Sequence, residues 1–182
     1  LGVALLALAR QVGILHMRVA PAGALTTGRG PAVGEPAPRL DLATIDGEPL
    51  LIGGRLAAGR RRLLLFVSAQ CPLCKTLIPF AKSFAKDERV DLVLVGDDET
   101  DIQRSLIARF GLEAFPFVNG PRTGLAFEVD KLPHAVLLDE NGIILARGLV
   151  NSREHLESLV ISHEMGLKTV QDYIATLKTE AA

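Results

Sequence analysis

Phe66-Val67-Ser68-Ala69-Gln70-Cys71-Pro72-Leu73-Cys74-Lys75 contains both cysteines of the chain, spaced C-x-x-C, directly after the apolar run Leu63 to Val67. A run that apolar and only a few residues long reads as a buried strand. Pro72 suits the first turn of a following helix, where no partner for its missing N–H is required. Cys71 then falls at a helix N-terminus. The unpaired N–H groups and the positive dipole end found there favour a thiolate, the form of cysteine that attacks disulfides. The stretch therefore reads as strand, turn, dithiol and helix, with Cys71 as nucleophile and Cys74, one turn further in, as resolving thiol.

The chain has 182 residues, 48% of them hydrophobic and 23% charged, enough for one sizeable core and too short to argue for two. With 20 Lys and Arg against 21 Asp and Glu, the net charge of -1 implies no general attraction to nucleic acid. Two cysteines cannot build a disulfide framework, and one C-x-x-C between a strand and a helix reads as a redox pair.

Residues Leu1 to Ala9 are apolar or glycine, and after Arg10 and Gln11 the apolar pattern resumes through Val12, Ile14, Leu15 and Val19. A spanning helix needs roughly 20 apolar residues, so residues 1–20 read as the distal end of a membrane-anchor helix. An amphipathic helix docked on the core is the other reading. Arg10, His16 and Arg18 would lie just outside the hydrocarbon, and positive charge there favours the cytoplasmic side, which weighs against export. Residues 21–33, rich in Gly, Pro, Ala and Thr, read as a linker, leaving residues 34–182 as the folded domain.

Within that domain, Arg39 to Ile45 and Leu50 to Ile52 flank the turn signal Asp46-Gly47 and predict a β-hairpin. Arg60, Arg61 and Arg62 read as a solvated start to the central strand. The helix after the cysteines carries apolar residues from Leu77 to Ala85 at helical spacing and is expected to kink at Pro79. Val90 to Val95 predicts a strand. Thr100 with Gln103 predicts a capping box for a helix ended by Gly111. Residues Glu113 to Thr123 read as a loop, and Gly124 to Val129 is ambiguous between a short helix and irregular chain. Ala135 to Leu138 and Ile143 to Leu149, joined through Asp139-Glu140-Asn141-Gly142, predict a second hairpin. Asn151 or Ser152 is expected to cap a helix to about Met165, with a last helix from about Thr169 to Leu177.

Strand and helix alternation with crossover connections implies an α/β fold around one mixed sheet flanked by helices. With the C-x-x-C after the first long strand and Leu132-Pro133 before the late hairpin, the order resembles the thioredoxin fold over Val33 to Met165. That resemblance implies a cis proline at Pro133, facing the cysteine pair, and a client groove at Leu132, Pro133 and Pro72. There an extended client segment would pair with the backbone. Peroxiredoxins share the style of opening hairpin. Their motif, however, needs a proline seven residues and a threonine three residues before the cysteine, where this chain has Leu64 and Ser68. Two departures from ordinary thioredoxins stand out: Gln70 replaces the tryptophan before the first cysteine, and Leu65 occupies the place of the buried acid that assists the second.

The segments Ala7 to Gly13 and Arg18 to Leu25, the Cys71-Pro72-Leu73-Cys74 site and Pro133 to Asp139 together resemble the D family of methylamine-utilisation accessory proteins, over nearly the whole chain. The resemblance implies a single-pass anchored, periplasmic thiol-disulfide oxidoreductase required to mature methylamine dehydrogenase. The small subunit of that enzyme, with many disulfides and a tryptophan-derived quinone, would be its client, and a redox partner would recycle the cysteine pair. No cofactor is expected. No structural metal is expected either, since a zinc site wants four ligands and the histidines are only His16, His134, His155 and His163. A copper(I) delivery site of Cys71, Cys74 and His134 is the alternative from another class, and a general periplasmic disulfide reductase is a third reading. Lys75, His155 and His163 read as solvated helix positions. Direction of electron flow is open, because Leu73 alone does not set thiolate stabilisation.

Overall fold

The computed structural model describes residues 30–164. The expected anchor over residues 1–20, most of the linker, the helix from Thr169 to Leu177, His16 and the side chain of His163 lie outside the described residues. Among those that are described, no helix is long and apolar enough to cross a membrane.

The first hairpin forms as expected, with β1 (Leu40–Ala43) antiparallel to β2 (Pro49–Ile52) in a sheet of its own. Gly47 takes φ 88° in the turn, a conformation that glycine adopts at little cost. The central run becomes β3 (Arg61–Phe66), and β4 (Val90–Gly96), β6 (His134–Leu138) and β7 (Ile144–Leu149) join it. With β5 (Phe117–Asn119) these form a five-stranded sheet in the order β5-β4-β3-β6-β7. β3 is parallel to β4 and antiparallel to β6, and β4 is parallel to β5. This mixed topology, with the dithiol helix leaving the central strand, is the thioredoxin-like α/β fold.

The helices are α1 (Pro72–Asp87), α2 (Thr100–Phe110), α3 (Pro121–Ala126) and α4 (Arg153–Glu164). Side chains on a strand point alternately to the two faces, and β3 divides its apolar residues accordingly. Leu63 and Leu65 pack with Leu77, Ile78, Ala81 and Phe84 of α1 and with Leu156 and Leu159 of α4. Leu64 and Phe66 face the other way, toward Ile52, Val95, Val136, Ile144 and Phe127. Each such leucine, fully buried, contributes roughly 1.5–3 kcal/mol. A strand buried on both faces reads as a continuous apolar run.

Several expectations are corrected. The loop foreseen from Glu113 to Thr123 contains β5 and the start of α3. Three residues are too few to show a period, but Phe117 packs on the α1 face and Val118 on the other. The capping box does not form: Glu99 is the N-cap of α2 and makes no side-chain cap bond. Gln103 is instead fully buried, and the amide orientation that satisfies its surroundings has Oε1 accepting from the backbone N–H groups of Asp97 at 3.3 Å and Asp98 at 3.1 Å. A Cβ at Gly96 would collide with that amide, so a larger residue there would have to displace the Gln103 side chain.

The arginines do not all stand in solvent. Arg60 pairs with Asp91 and Arg61 with Glu88, whereas Arg62 is half-buried and donates to the Leu51 carbonyl at 2.6 Å, which ties the small sheet to the large one. His155 is buried rather than on the surface, accepting at Nδ1 from the Asn151 N–H at 3.4 Å. Ser152 caps α4, as expected, by accepting from the His155 N–H, and Gly111 ends α2 in the left-handed region at φ 59°. α1 runs on through Pro79.

A candidate dithiol site at the N-terminus of helix α1

β3 ends at Phe66, Val67 adds one more sheet bond by donating to the Val95 carbonyl at 2.8 Å, and Ser68, Ala69 and Gln70 turn the chain into α1. Cys71 is the N-cap of that helix, with φ -90° and ψ 112°, and Pro72 stands at its start. The Cys71 sulfur accepts from the Cys74 N–H at 3.1 Å, as a capping side chain does. The first turn of α1 itself has no acidic residue to offset the positive end of its dipole. Cys71 is half-buried and Cys74 fully buried, and the two are disulfide-bonded with their Cα atoms 5.3 Å apart. Cys74 packs among apolar side chains that include Leu65.

The turn before Cys71 is clamped by a residue that sequence reasoning missed. Asp98 Oδ2 accepts from the Ala69 N–H at 2.7 Å, and its Oδ1 accepts from the Ser68 hydroxyl at 3.2 Å. Ser68 Oγ in turn accepts from the Gln70 N–H at 3.0 Å, and the Ser68 carbonyl accepts from the Cys71 N–H at 3.1 Å. Asp98 is held from behind, because Asn119 donates to its carbonyl at 2.9 Å and Gln103 binds its N–H. The signal that was available is positional. Asp97-Asp98 directly follows the parallel strand β4, and functional groups in open α/β sheets gather at the carboxyl ends of strands. Asp98→Ala is expected to cost about 1–3 kcal/mol by leaving the Ala69 N–H without its acceptor, with Asp98→Asn losing less than half as much. Urea denaturation of the three proteins checks this, and equal stability of all three would remove the clamp.

The Leu132–Pro133 bond is cis, as the resemblance implies. β6 pairs with β3 as far as His134 opposite Phe66, so Leu132 and Pro133 lie just beyond the end of that pairing, and Leu132 lines one pocket with Val67 and Ser68. Leu73, between the cysteines, is 52% exposed and Leu132 is 38% exposed. Pro72 is exposed at the helix start.

His134 does not join the cysteines. It shares the alternation of Val136 and Leu138, whose face is that of Phe66 and Phe127, whereas Cys74 packs on the face of Leu63, Leu65 and Ala135. Its ring lies edge-on to Phe66 at 6.1 Å, and it is fully buried with neither nitrogen hydrogen-bonded. The sheet therefore separates it from the sulfurs, which removes it from the copper(I) alternative. Among the described residues no three His, Cys, Asp or Glu side chains are grouped to hold a metal.

A thioredoxin-like family profile matches residues 59–144. The methylamine utilization protein MauD of Paracoccus denitrificans is 42% identical over 180 residues, covering 99% of this chain and 90% of that protein. The chain belongs to the MauD family. MauD of Methylorubrum extorquens is 41% identical over 176 residues, covering 97% and 86% of the two chains. The fold has a solved counterpart in a secreted Mycobacterium tuberculosis disulfide oxidoreductase homologous to E. coli DsbE, with TM-score 0.56 and 20% identity over 68% of this chain and 95% of that one. Membership of the MauD family extends the likeness well beyond the thioredoxin-like core, through residues on both sides of it.

Proposed function

We propose that Cys71 and Cys74 exchange a disulfide with the small subunit of methylamine dehydrogenase during its maturation. The domain works in the periplasm, tethered by residues 1–20. The observation that carries this reading is the arrangement of the pair: Cys71 half-exposed at the cap of α1, Cys74 buried one turn behind it. The name shared by the MauD relatives, methylamine utilization protein, supports the client.

The chain is a thiol-disulfide oxidoreductase, and its chemistry balances without a cofactor. In the oxidising direction a client thiolate attacks the Cys71 sulfur, the Cys71–Cys74 bond breaks, and Cys74 leaves as a thiolate that takes up a proton. A second client thiolate then attacks the client sulfur of the mixed disulfide and releases Cys71. Two electrons have passed from client to Cys71 and Cys74, and a redox partner removes them. In the reducing direction the same steps run backwards, starting from the Cys71 thiolate. Leu132 and Pro133, just before β6, form the edge along which an extended client segment lies.

Removing the resolving thiol should trap the intermediate. In cells making methylamine dehydrogenase, Cys74→Ala is expected to accumulate a reductant-sensitive adduct with the small subunit. Cys71→Ala should give no adduct and leave that subunit under-assembled. Adducts with many unrelated periplasmic proteins, and none with that subunit, would replace the dedicated role with a general oxidoreductase.

A further inference from the structure

A pocket of about 370 Å³ opens at the carboxyl ends of β3 and β4; neither cysteine lines it, but Ser68, in the turn that leads to Cys71, does. Its walls include Phe66, Leu125 and Leu132, and Asp97, Asp98 and Asp130 are also among the lining residues, with no basic residue among them. Leu125 is 73% exposed and offers an apolar wall at the pocket mouth. Asp98 is committed to the turn before Cys71, but neither Asp97 nor Asp130 is in an ion pair with a described side chain. The charge of Asp130 also acts on the buried Arg147, whose guanidinium donates to the carbonyl oxygens of Pro31 at 2.7 Å and Phe127 at 2.8 Å.

We propose that this pocket receives a lysine or arginine side chain of the client segment, its methylenes against Leu125, Leu132 and Phe66 and its charge at Asp97 and Asp130. The inference deepens the proposed dithiol exchange and rests on it. Long cationic side chains are the ones that pair an apolar stem with a positive head. The pocket is also within reach of the chemistry. Ser68 lines it, and the Cys71 N–H donates to the Ser68 carbonyl at 3.1 Å, so pocket wall and sulfur are the two ends of one turn, with Cα atoms less than about 7 Å apart. An extended client advances about 3.3 Å per residue and returns to the same face every second residue. A basic residue two positions from the client cysteine therefore meets the pocket.

The test uses the full chain in its oxidised form and blocked peptides of the pattern X-Gly-Cys-Gly-X, with X as Lys, norleucine or Glu. The rate at which each peptide thiol reduces the protein is measured at low salt and in 0.5 M salt. The Lys peptide is expected to react about tenfold faster than the Glu peptide at low salt, with norleucine between them and the ratio shrinking in high salt. The net charge of -1 makes a general attraction too weak to mimic this. Asp130→Lys, and separately Asp97→Lys, should bring the ratio to one or invert it, an outcome that misfolding cannot produce. The same charge change at Glu48, away from the pocket, should leave the ratio alone. Equal rates for the Lys and Glu peptides, with dithiothreitol reducing the protein normally, would overturn the pocket and leave the dithiol reading standing. A ratio moved equally by Glu48→Lys would also overturn it. No reduction by any peptide or by dithiothreitol would overturn the dithiol reading, and the pocket with it.

Discussion

Replacing Cys71 with serine is expected to bring disulfide exchange down to the uncatalysed background, whereas Cys74→Ser retains a fast first reaction at Cys71. The asymmetry follows from position. Cys71 caps α1, where the free N–H groups and the dipole stabilise negative charge and the first turn holds no acid against it. Cys74 is fully buried among apolar side chains, a setting that disfavours a thiolate and keeps reagents out. With one cysteine left in each variant, alkylation at mildly acidic pH should be at least about tenfold faster at Cys71 than at Cys74, since about 1.4 kcal/mol between the two environments suffices for that ratio. Stopped-flow reaction of each reduced variant with an aromatic disulfide gives the exchange rates. If Cys74 alone reacts as fast as Cys71 alone, the helix-terminus argument is wrong and the order of attack must be reversed.

Much of this architecture was legible because the elements that matter are long apolar runs between unmistakable breakers. β3 and β4 are buried on both faces, so their sequences are almost uninterrupted in Leu and Val, and Gly111 and the Asp139 to Gly142 turn mark ends that only certain residues tolerate. The dithiol was legible for a different reason: C-x-x-C between a buried strand and a helix has few other uses. What escaped notice depends on contacts between segments far apart in the chain. β5 is three residues long, and only its pairing with β4 makes it a strand. Thr100 and Gln103 have capping-box spacing, yet the glutamine is worth more as an internal partner for the Asp97-Asp98 backbone. Asp98 takes its role from the Ser68 to Gln70 segment, some thirty residues away in the chain, that lies against it. Whether His134 could join the sulfurs, as the copper(I) alternative required, turns on a single parity. Which face it takes follows from pairing with Phe66, and a shift of one residue would have turned it toward the sulfurs.

That buried histidine is expected to limit stability in acid. Burial, reinforced by the nearby Arg147 charge and only partly opposed by Asp130, lowers the His134 pKa from 6.5 to about 4. An unfolded chain takes up the proton near pH 6.5, while the native ring refuses it until about pH 4. Above pH 6.5 both states hold the ring neutral and nothing is lost. Between pH 6.5 and 4 the unfolded state is favoured progressively, by on the order of 3 kcal/mol at the lower end, and below that this group adds no further change. His134→Phe removes the titration, and the new ring can keep the edge-on contact with Phe66. It also removes two buried nitrogens that have no hydrogen-bond partner, which should raise stability at pH 7 by about 1–2 kcal/mol. The smaller His134→Leu guards against a steric cost of the phenyl ring. Because the chain has no tryptophan, far-ultraviolet circular dichroism is the suitable probe for urea titrations at pH 7, 5.5 and 4.5. The gap between variant and wild-type midpoints should widen by about 1–2 M urea from the first to the last. Parallel acid limbs in wild type and both variants would mean that the ring takes its proton in place, and that the sheet face around Phe66 admits water to it.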